Sequence, residues 1–302
     1  MTYLNPSPEV AGALRDKQPV VALESSVFAQ GLPWPDNLEV GLEMAQAVRD
    51  EGAVPAVIWL EASRIHFGAD ERQLDKLCQT RDARKLANAD LPGFLAQGSQ
   101  GASSIGATTV SASLVACDLL GLRVFATGGL GGVHRNWERR PDISADLAQL
   151  SRTRCLTVCS GVKSVLDVPA TLEALEALAV PLLLYQTDHF PEFYTAGKPS
   201  PIGSRVESPE AVARACAIAL ELLGRAPVLA QLCPRPLGED EVQGWLADGL
   251  AEAEREGIRG KGVTPHLLAF LARASRGQTL RCNCELLVAN ARLAARVARC
   301  LV

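Results

Sequence analysis

The stretch LTVCSGVKSVLDVPATLEALEALAVPLLLY, residues 156–185, decides the fold. Leu156-Thr-Val-Cys-Ser160 is a short apolar run with the composition of a buried strand. Gly161-Val-Lys163 turns it into a helical pattern that continues through Leu178, and Val180 to Tyr185 returns to a strand. Strand, crossover helix and strand in this order make a βαβ unit, which requires parallel pairing.

Working outward, the same alternation recurs. Upstream, Arg123-Val-Phe-Ala-Thr127 reads as a strand that runs into Gly128-Gly-Leu-Gly-Gly-Val-His134, and Ser144 can cap the helix that follows. Pro19-Val-Val-Ala-Leu23 is a further strand, ending at Glu24-Ser25-Ser26. Pro35-Asp36-Asn37 introduces a helix over Leu38 to Glu51. Val54 to Leu60 reads as a strand, Asp70 to Gln79 as a helix, and the Gly/Ser-rich residues 98–106 lead to an apolar helix over Thr108 to Leu120. Downstream, Ala226 to Leu232 reads as the last strand, followed by three helical stretches. No Asn-Gly hairpin signal interrupts the pattern. The expectation is an α/β fold with a mostly parallel sheet, helices on both faces, and residues 1–302 forming one domain.

Composition narrows the function. The 302 residues carry 30 Lys+Arg against 34 Asp+Glu, a formal charge of −4, and no basic block, which argues against non-specific nucleic-acid binding. No apolar run approaches the roughly 20 residues of a membrane span. The start, Met1-Thr2-Tyr3-Leu4-Asn5-Pro6, lacks a basic and apolar leader, so a cytoplasmic protein is expected. The nine cysteines form no CxxC pair and no zinc set, and read as reduced structural thiols. Lysines are scarce beside arginines, which singles out a lysine inside an apolar segment.

In parallel α/β sheets, ligands sit beyond the carboxyl ends of the strands. Glu24 occupies such an end, where a partly desolvated carboxyl suits acid/base work; a capping or salt-bridge role is the alternative. Lys163 sits between strand and helix, as a Schiff-base nucleophile or as a lysine snorkelling to water. The 128–133 loop lacks GxGxxG spacing and is read as a backbone loop admitting a ligand, or as a turn needing positive φ. In Asp142-Ile-Ser-Ala-Asp146, Ser144 and the first helical amides could hold an anion and one carboxylate a hydrated cation; plain helix capping is equally compatible. His134 is a ligand, an acid or a structural residue.

An ordered set of motifs then carries a resemblance. Ala22-Leu-Glu-Ser25, Gly31-Leu-Pro-Trp-Pro-Asp-Asn37, Gly106-Ala-Thr-Thr-Val110, Ala126-Thr-Gly-Gly-Leu-Gly-Gly-Val-His-Arg135, Asp142-Ile-Ser-Ala-Asp-Leu147, Cys159-Ser-Gly-Val-Lys-Ser-Val-Leu-Asp167, the segment 188–194 and Asn290-Ala-Arg-Leu-Ala-Ala295 resemble the pseudouridine-5′-phosphate glycosidase family along nearly the whole chain. The resemblance implies an α/β/α sandwich, a homotrimer, one Mn²⁺ per subunit, and reversible cleavage of pseudouridine 5′-phosphate with water to uracil and ribose 5-phosphate. It implies Glu24 as proton donor, Lys163 as nucleophile and Asp142 as metal ligand. Lys85, Val110, Ser144, Ala145 and Asp146 match substrate-binding positions, and His134 and Asn290 further pocket residues. A C–C glycosidic bond has no heteroatom leaving group, so the two-carboxylate scheme fits poorly. A lysine that attacks C1′ while an acid protonates the uracil carbon fits better.

The chain departs from the family at its rim. Lys85-Leu-Ala-Asn88-Ala89-Asp90-Leu-Pro92 lacks the usual paired arginines, Gln30 stands where His is common, and Asn136-Trp137 replaces a small pair. A second reading therefore stays open, that of a C-glycosynthase joining ribose 5-phosphate to an aromatic acceptor, as in alnumycin assembly.

Overall fold

The computed structural model describes residues 3–97, 105–135, 137–138, 141–258 and 263–301; the Gly/Ser-rich residues 98–104 and Asn136 lie outside these. The strands are β1 (Leu4–Pro6), β2 (Val20–Glu24), β3 (Val54–Glu61), β4 (Arg64–Phe67), β5 (Arg84–Leu86), β6 (Ile105–Thr108), β7 (Val124–Ala126), β8 (Leu156–Cys159), β9 (Leu182–Tyr185), β10 (Ser204–Val206) and β11 (Val228–Ala230). The helices are α1 (Pro8–Arg15), α2 (Asp36–Asp50), α3 (Glu71–Gln79), α4 (Leu91–Gln97), α5 (Val110–Leu120), α6 (Ala145–Leu150), α7 (Val168–Ala177), α8 (Pro209–Leu223), α9 (Glu239–Arg255), α10 (Val263–Ala274) and α11 (Gln278–Cys300).

All these strands join one sheet, in the order β1-β4-β3-β2-β7-β8-β11-β9-β10, with β6 on β3 and β5 on β6. Every pairing is parallel except β3 with β4 and β3 with β6. The central strands are apolar on both faces: β2, β7 and β8 are buried throughout. Helices α5 and α11 both pack on β2 and β7, α5 also meeting α6, and α11 also meeting α2 and α8. With α5 on one face and α11 on the other, the sheet is the middle of three layers. Serine and aspartate side chains start five helices: Ser7, Asp70, Ser144, Asp167 and Ser208 each accept a first-turn amide.

Two features differ from the sequence reading. β3 and β4 form a hairpin, and its turn residues Ala62 and Ser63 hold φ of 49° and 60°, a conformation usually signalled by Asn or Gly. The expected helix over Thr108 to Leu120 begins only at Val110, because Thr108 ends β6.

That short strand positions the site. β2 pairs with β3 up to Glu24↔Ile58, and β6 takes over the same edge of β3 from Trp59↔Ala107 onward, running back toward Glu24. Thr108 closes the join: its amide donates to Ser25 Oγ at 2.8 Å, and its hydroxyl donates to the Ile58 carbonyl at 2.8 Å. β5 then sets Lys85 beside Ala107.

Candidate active site

Three adjacent strands end together. β2 ends at Glu24, β7 is followed by Thr127, and β8 by Ser160 and the turn to Lys163. Beyond them lies a cavity of about 150 Å³. Glu24, Lys163, Lys85, Val110, Ser144, Ala145, Asp146 and His134 all line it, together with Ser26, Ala87, Thr109, Ser111, Gly131, Val165 and Leu166. Residues far apart in sequence thus face one small space. Asp142 and Asn290 do not line it.

Glu24 is 3% exposed, and burial pushes its carboxyl above the usual carboxylate range. The nearby Lys163 charge pulls in the opposite direction, as do a hydrogen bond from Thr127 and the charge of Lys85, while Asp146 adds to the rise. Thr127 Oγ1 donates to Glu24 Oε1 at 2.9 Å. The outcome is a carboxyl that holds its proton to higher pH, which suits an acid.

Lys163 is half-buried, and no hydrogen bond or ion pair engages its ammonium among the described residues. Its backbone is fixed instead: the Lys163 amide donates to the Leu130 carbonyl at 3.2 Å, and Leu130 donates back to the Gly161 carbonyl at 2.8 Å. Gly161 has φ of +72°, and the Pro191 carbonyl fills the space where its Cβ would stand. The turn that presents the lysine is therefore built on glycine.

The 128–133 loop has a different reason for its glycines. None of them has positive φ. They are required by close packing: a Cβ at Gly131 would lie 2.6 Å from Asp146 Oδ2, and one at Gly129 would run into the Phe193 ring. Only Gly131 reaches the cavity.

Asp146 is buried, and both its oxygens accept backbone amides, Oδ1 from Ser111 and Oδ2 from Gly131, each at 2.9 Å. The carboxylate ties the first turn of α5 to the glycine loop, while Ser144 Oγ accepts the Asp146 amide as the cap of α6. Asp146→Asn keeps the shape but sets an amide N–H against a backbone N–H. It is expected to cost about 1–3 kcal/mol, read as a lower urea midpoint at unchanged m-value.

The structure gives Asn290 a place behind the pocket rather than in it. Its Nδ2 donates to the Thr127 carbonyl at 2.8 Å, and its Oδ1 accepts from Gln231 Nε2 at 2.8 Å and from Ser160 Oγ at 3.3 Å. With its amide saturated by protein, Asn290 fastens the ends of β7, β8 and β11 from α11. Asp142 is exposed, and its carbonyl accepts the His134 amide at 3.0 Å. No group of three or more His, Cys, Asp or Glu that could hold a metal occurs among the described residues. A single exposed carboxylate fits a hard cation that keeps most of its water, and fits no closed protein cage.

At the rim, Ala87 lines the cavity while Asn88 turns away, its Nδ2 donating to Gln149 Oε1 at 3.2 Å. Gln30 donates to the Ala83 carbonyl at 2.6 Å and lies outside the lining. Trp137 is 38% exposed. Sequence reasoning missed Thr127, Ser26 and Ser111; the one signal for Thr127 was its place just past a strand.

Residues 9–300 match the family model described as Indigoidine synthase A like protein. The pseudouridine-5′-phosphate glycosidase of Dickeya dadantii is 43% identical over 97% of this chain and 92% of that protein. The one from Streptomyces griseus subsp. griseus is 46% identical over 97% of this chain and 90% of that protein. Among solved structures, the prealnumycin C-glycosynthase AlnA, in complex with ribulose 5-phosphate, superposes with a TM-score of 0.90 at 33% identity, covering 100% of this chain and 97% of that one. An indigoidine synthase A-like protein from Thermotoga maritima gives 0.86 at 32% identity, covering 98% and 95%.

Proposed function

The chain belongs to the indigoidine synthase A-like family, and from that premise we propose that it is a pseudouridine-5′-phosphate glycosidase, reversibly converting pseudouridine 5′-phosphate and water to uracil and ribose 5-phosphate. The observation that carries this reading is the convergence of the Lys163 amine and the buried Glu24 carboxyl on the same cavity, with the cationic Lys85 beside them.

The chemistry follows from these groups. The Lys163 amine attacks C1′ of the sugar, and the C1′–O4′ bond breaks as O4′ takes the proton that the attacking nitrogen gives up, leaving a secondary amine with its lone pair. Glu24 gives its proton to the uracil carbon that bears the sugar. The nitrogen lone pair then forms an iminium at C1′, and the C–C bonding pair returns to the pyrimidine ring, releasing uracil. Water adds to the iminium and frees ribose 5-phosphate from Lys163. A positioned acid of this kind contributes roughly 10²–10⁴-fold. Lys85, with the first turns of α5 at Val110 and α6 at Ser144 and Ala145, suits the phosphate, and His134 borders the same space. A hydrated Mn²⁺ held by Asp142 would supply positive charge that offsets the phosphate. We assign Asn290 to support of this site, and expect a cytoplasmic homotrimer. The nine thiols suit a reducing compartment, and no helix among the described residues is long and apolar enough to cross a membrane.

The fold match to AlnA favours a second reading, a C-glycosynthase using an aromatic acceptor. The higher identity to the glycosidases, 43% and 46% against 33% for AlnA, favours the pyrimidine. Purified protein with Mn²⁺ and pseudouridine 5′-phosphate is expected to release uracil and ribose 5-phosphate in equal amounts. A folded protein without that turnover would point to the synthase.

A further inference from the structure

Resting on the reading of Glu24 as the acid, we propose that Thr127 is the positioning residue that aims it: the hydroxyl occupies Glu24 Oε1 and so places the transferable proton on Oε2. Glu24 stands one rung beyond the pair Leu23↔Ala126, directly across from Thr127 on the neighbouring parallel strand. Both side chains are buried, at 3% and 1% exposure, and the 2.9 Å hydrogen bond runs from the Thr127 hydroxyl to Oε1. A neutral carboxyl carries one proton. The buried Thr127 hydroxyl has no other acceptor for its hydrogen among the described residues, so it donates, Oε1 is the accepting oxygen, and the acidic hydrogen belongs on Oε2. Without that bond, the buried carboxyl could rotate and exchange its two oxygens.

Thr127 is itself held on three sides. Its β-branched side chain is stiff at χ1. Its amide donates to the Val158 carbonyl at 3.0 Å, and its carbonyl accepts from Asn290 Nδ2 at 2.8 Å. Asn290 is tied in turn to Ser160 and Gln231. The aim of the acid is thus referenced to the ends of β8 and β11 through a residue of α11. Thr127 does not line the cavity, so it acts through Glu24 and not on the substrate.

The test compares Thr127→Val, which keeps the shape and removes the hydroxyl, with Thr127→Ser, which keeps the hydroxyl, and with Glu24→Gln. Thr127→Val is expected to lower kcat roughly 10- to 100-fold, part of the full value of a general acid, with little change in KM. The alkaline limb of kcat should move to higher pH, because a hydrogen bond that favours the ionised carboxyl has gone. The other titratable groups facing Glu24 are Lys163 from the turn after β8, Lys85 from β5, Asp146 from α6 and His134 from the glycine loop; all are the same in both threonine variants. Thr127→Ser should return both kcat and the limb toward wild type. The proposal is overturned if Thr127→Val leaves kcat and the pH profile unchanged while Glu24→Gln is inactive, or if Thr127→Ser is as impaired as Thr127→Val. Near-normal turnover by Glu24→Gln would instead overturn the acid role of Glu24, and that of Thr127 with it.

Discussion

Lys163→Ala is expected to lose turnover of pseudouridine 5′-phosphate by roughly 10⁴-fold or more, the scale on which removal of a covalent nucleophile is felt. The fold should hardly notice. The side chain is half-buried, and its ammonium engages no described residue by hydrogen bond, so stability should stay within about 0.5 kcal/mol of wild type. The backbone hydrogen bonds of the turn use main-chain atoms and survive the change. A chemical readout separates this from a loss of binding. Ribose 5-phosphate with borohydride should leave a reduced sugar-phosphate adduct on Lys163 of the wild-type protein and none on the variant. An adduct found on Lys85 instead, or residual turnover near wild type, would remove Lys163 from its role.

Gly161→Ala should be among the most damaging glycine substitutions in the described residues. A left-handed conformation costs an L-residue about 1–2 kcal/mol, and here the added Cβ also overlaps the Pro191 carbonyl. That carbonyl belongs to backbone flanked by the buried Phe190 and cannot move as a side-chain end would. The combined loss should reach about 4 kcal/mol or more, lowering the melting temperature by roughly 6 °C or more for a chain of 302 residues. Gly224→Ala is the control. It has nearly the same φ, +69°, with open space around the site of its Cβ, so it carries only the conformational part. Equal effects of the two substitutions would show that the Pro191 contact is soft. Because Gly161 precedes Lys163 by two residues, any folded fraction of Gly161→Ala should also lose activity.

These two positions were readable in the sequence because their signals are local. A strand that ends in Gly161-Val-Lys163, and another that ends in Glu24, announce themselves by position along an alternating βαβ chain. The strands β2, β3, β7, β8, β9 and β11 were legible for the same reason: each is an apolar run flanked by turn residues. The short strands β1, β5, β6 and β10 were not. β1 (Leu-Asn-Pro), β5 (Arg-Lys-Leu) and β10 (Ser-Arg-Val) contain no apolar run to mark them, and β6 emerges from a Gly/Ser-rich segment. β4 was hidden by its turn, since Ala62 and Ser63 adopt left-handed φ without the residues that normally advertise it. In the site, Ser144 was visible as a cap, but the choice between cap and ligand for Asp142 and Asp146 was not. It depends on which amides meet the carboxylates: Asp146 meets Ser111, 35 residues away. The partnership of Thr127 with Asn290, 163 residues apart, is a product of tertiary packing alone.

The place of Asn290 has a consequence for how the molecule matures. Synthesis delivers the strands first, and α11, which carries Asn290, only after every strand of the sheet has emerged. Until then the apolar face that α11 covers on β2, β7 and β8 stands open, and the side-chain tie from Asn290 to the Thr127 carbonyl, Ser160 and Gln231 is missing. A ribosome-bound chain arrested before α11 would display a sticky, catalytically silent sheet, an invitation to chaperones and proteases. Competence would arrive in a single late event, when the final helix docks.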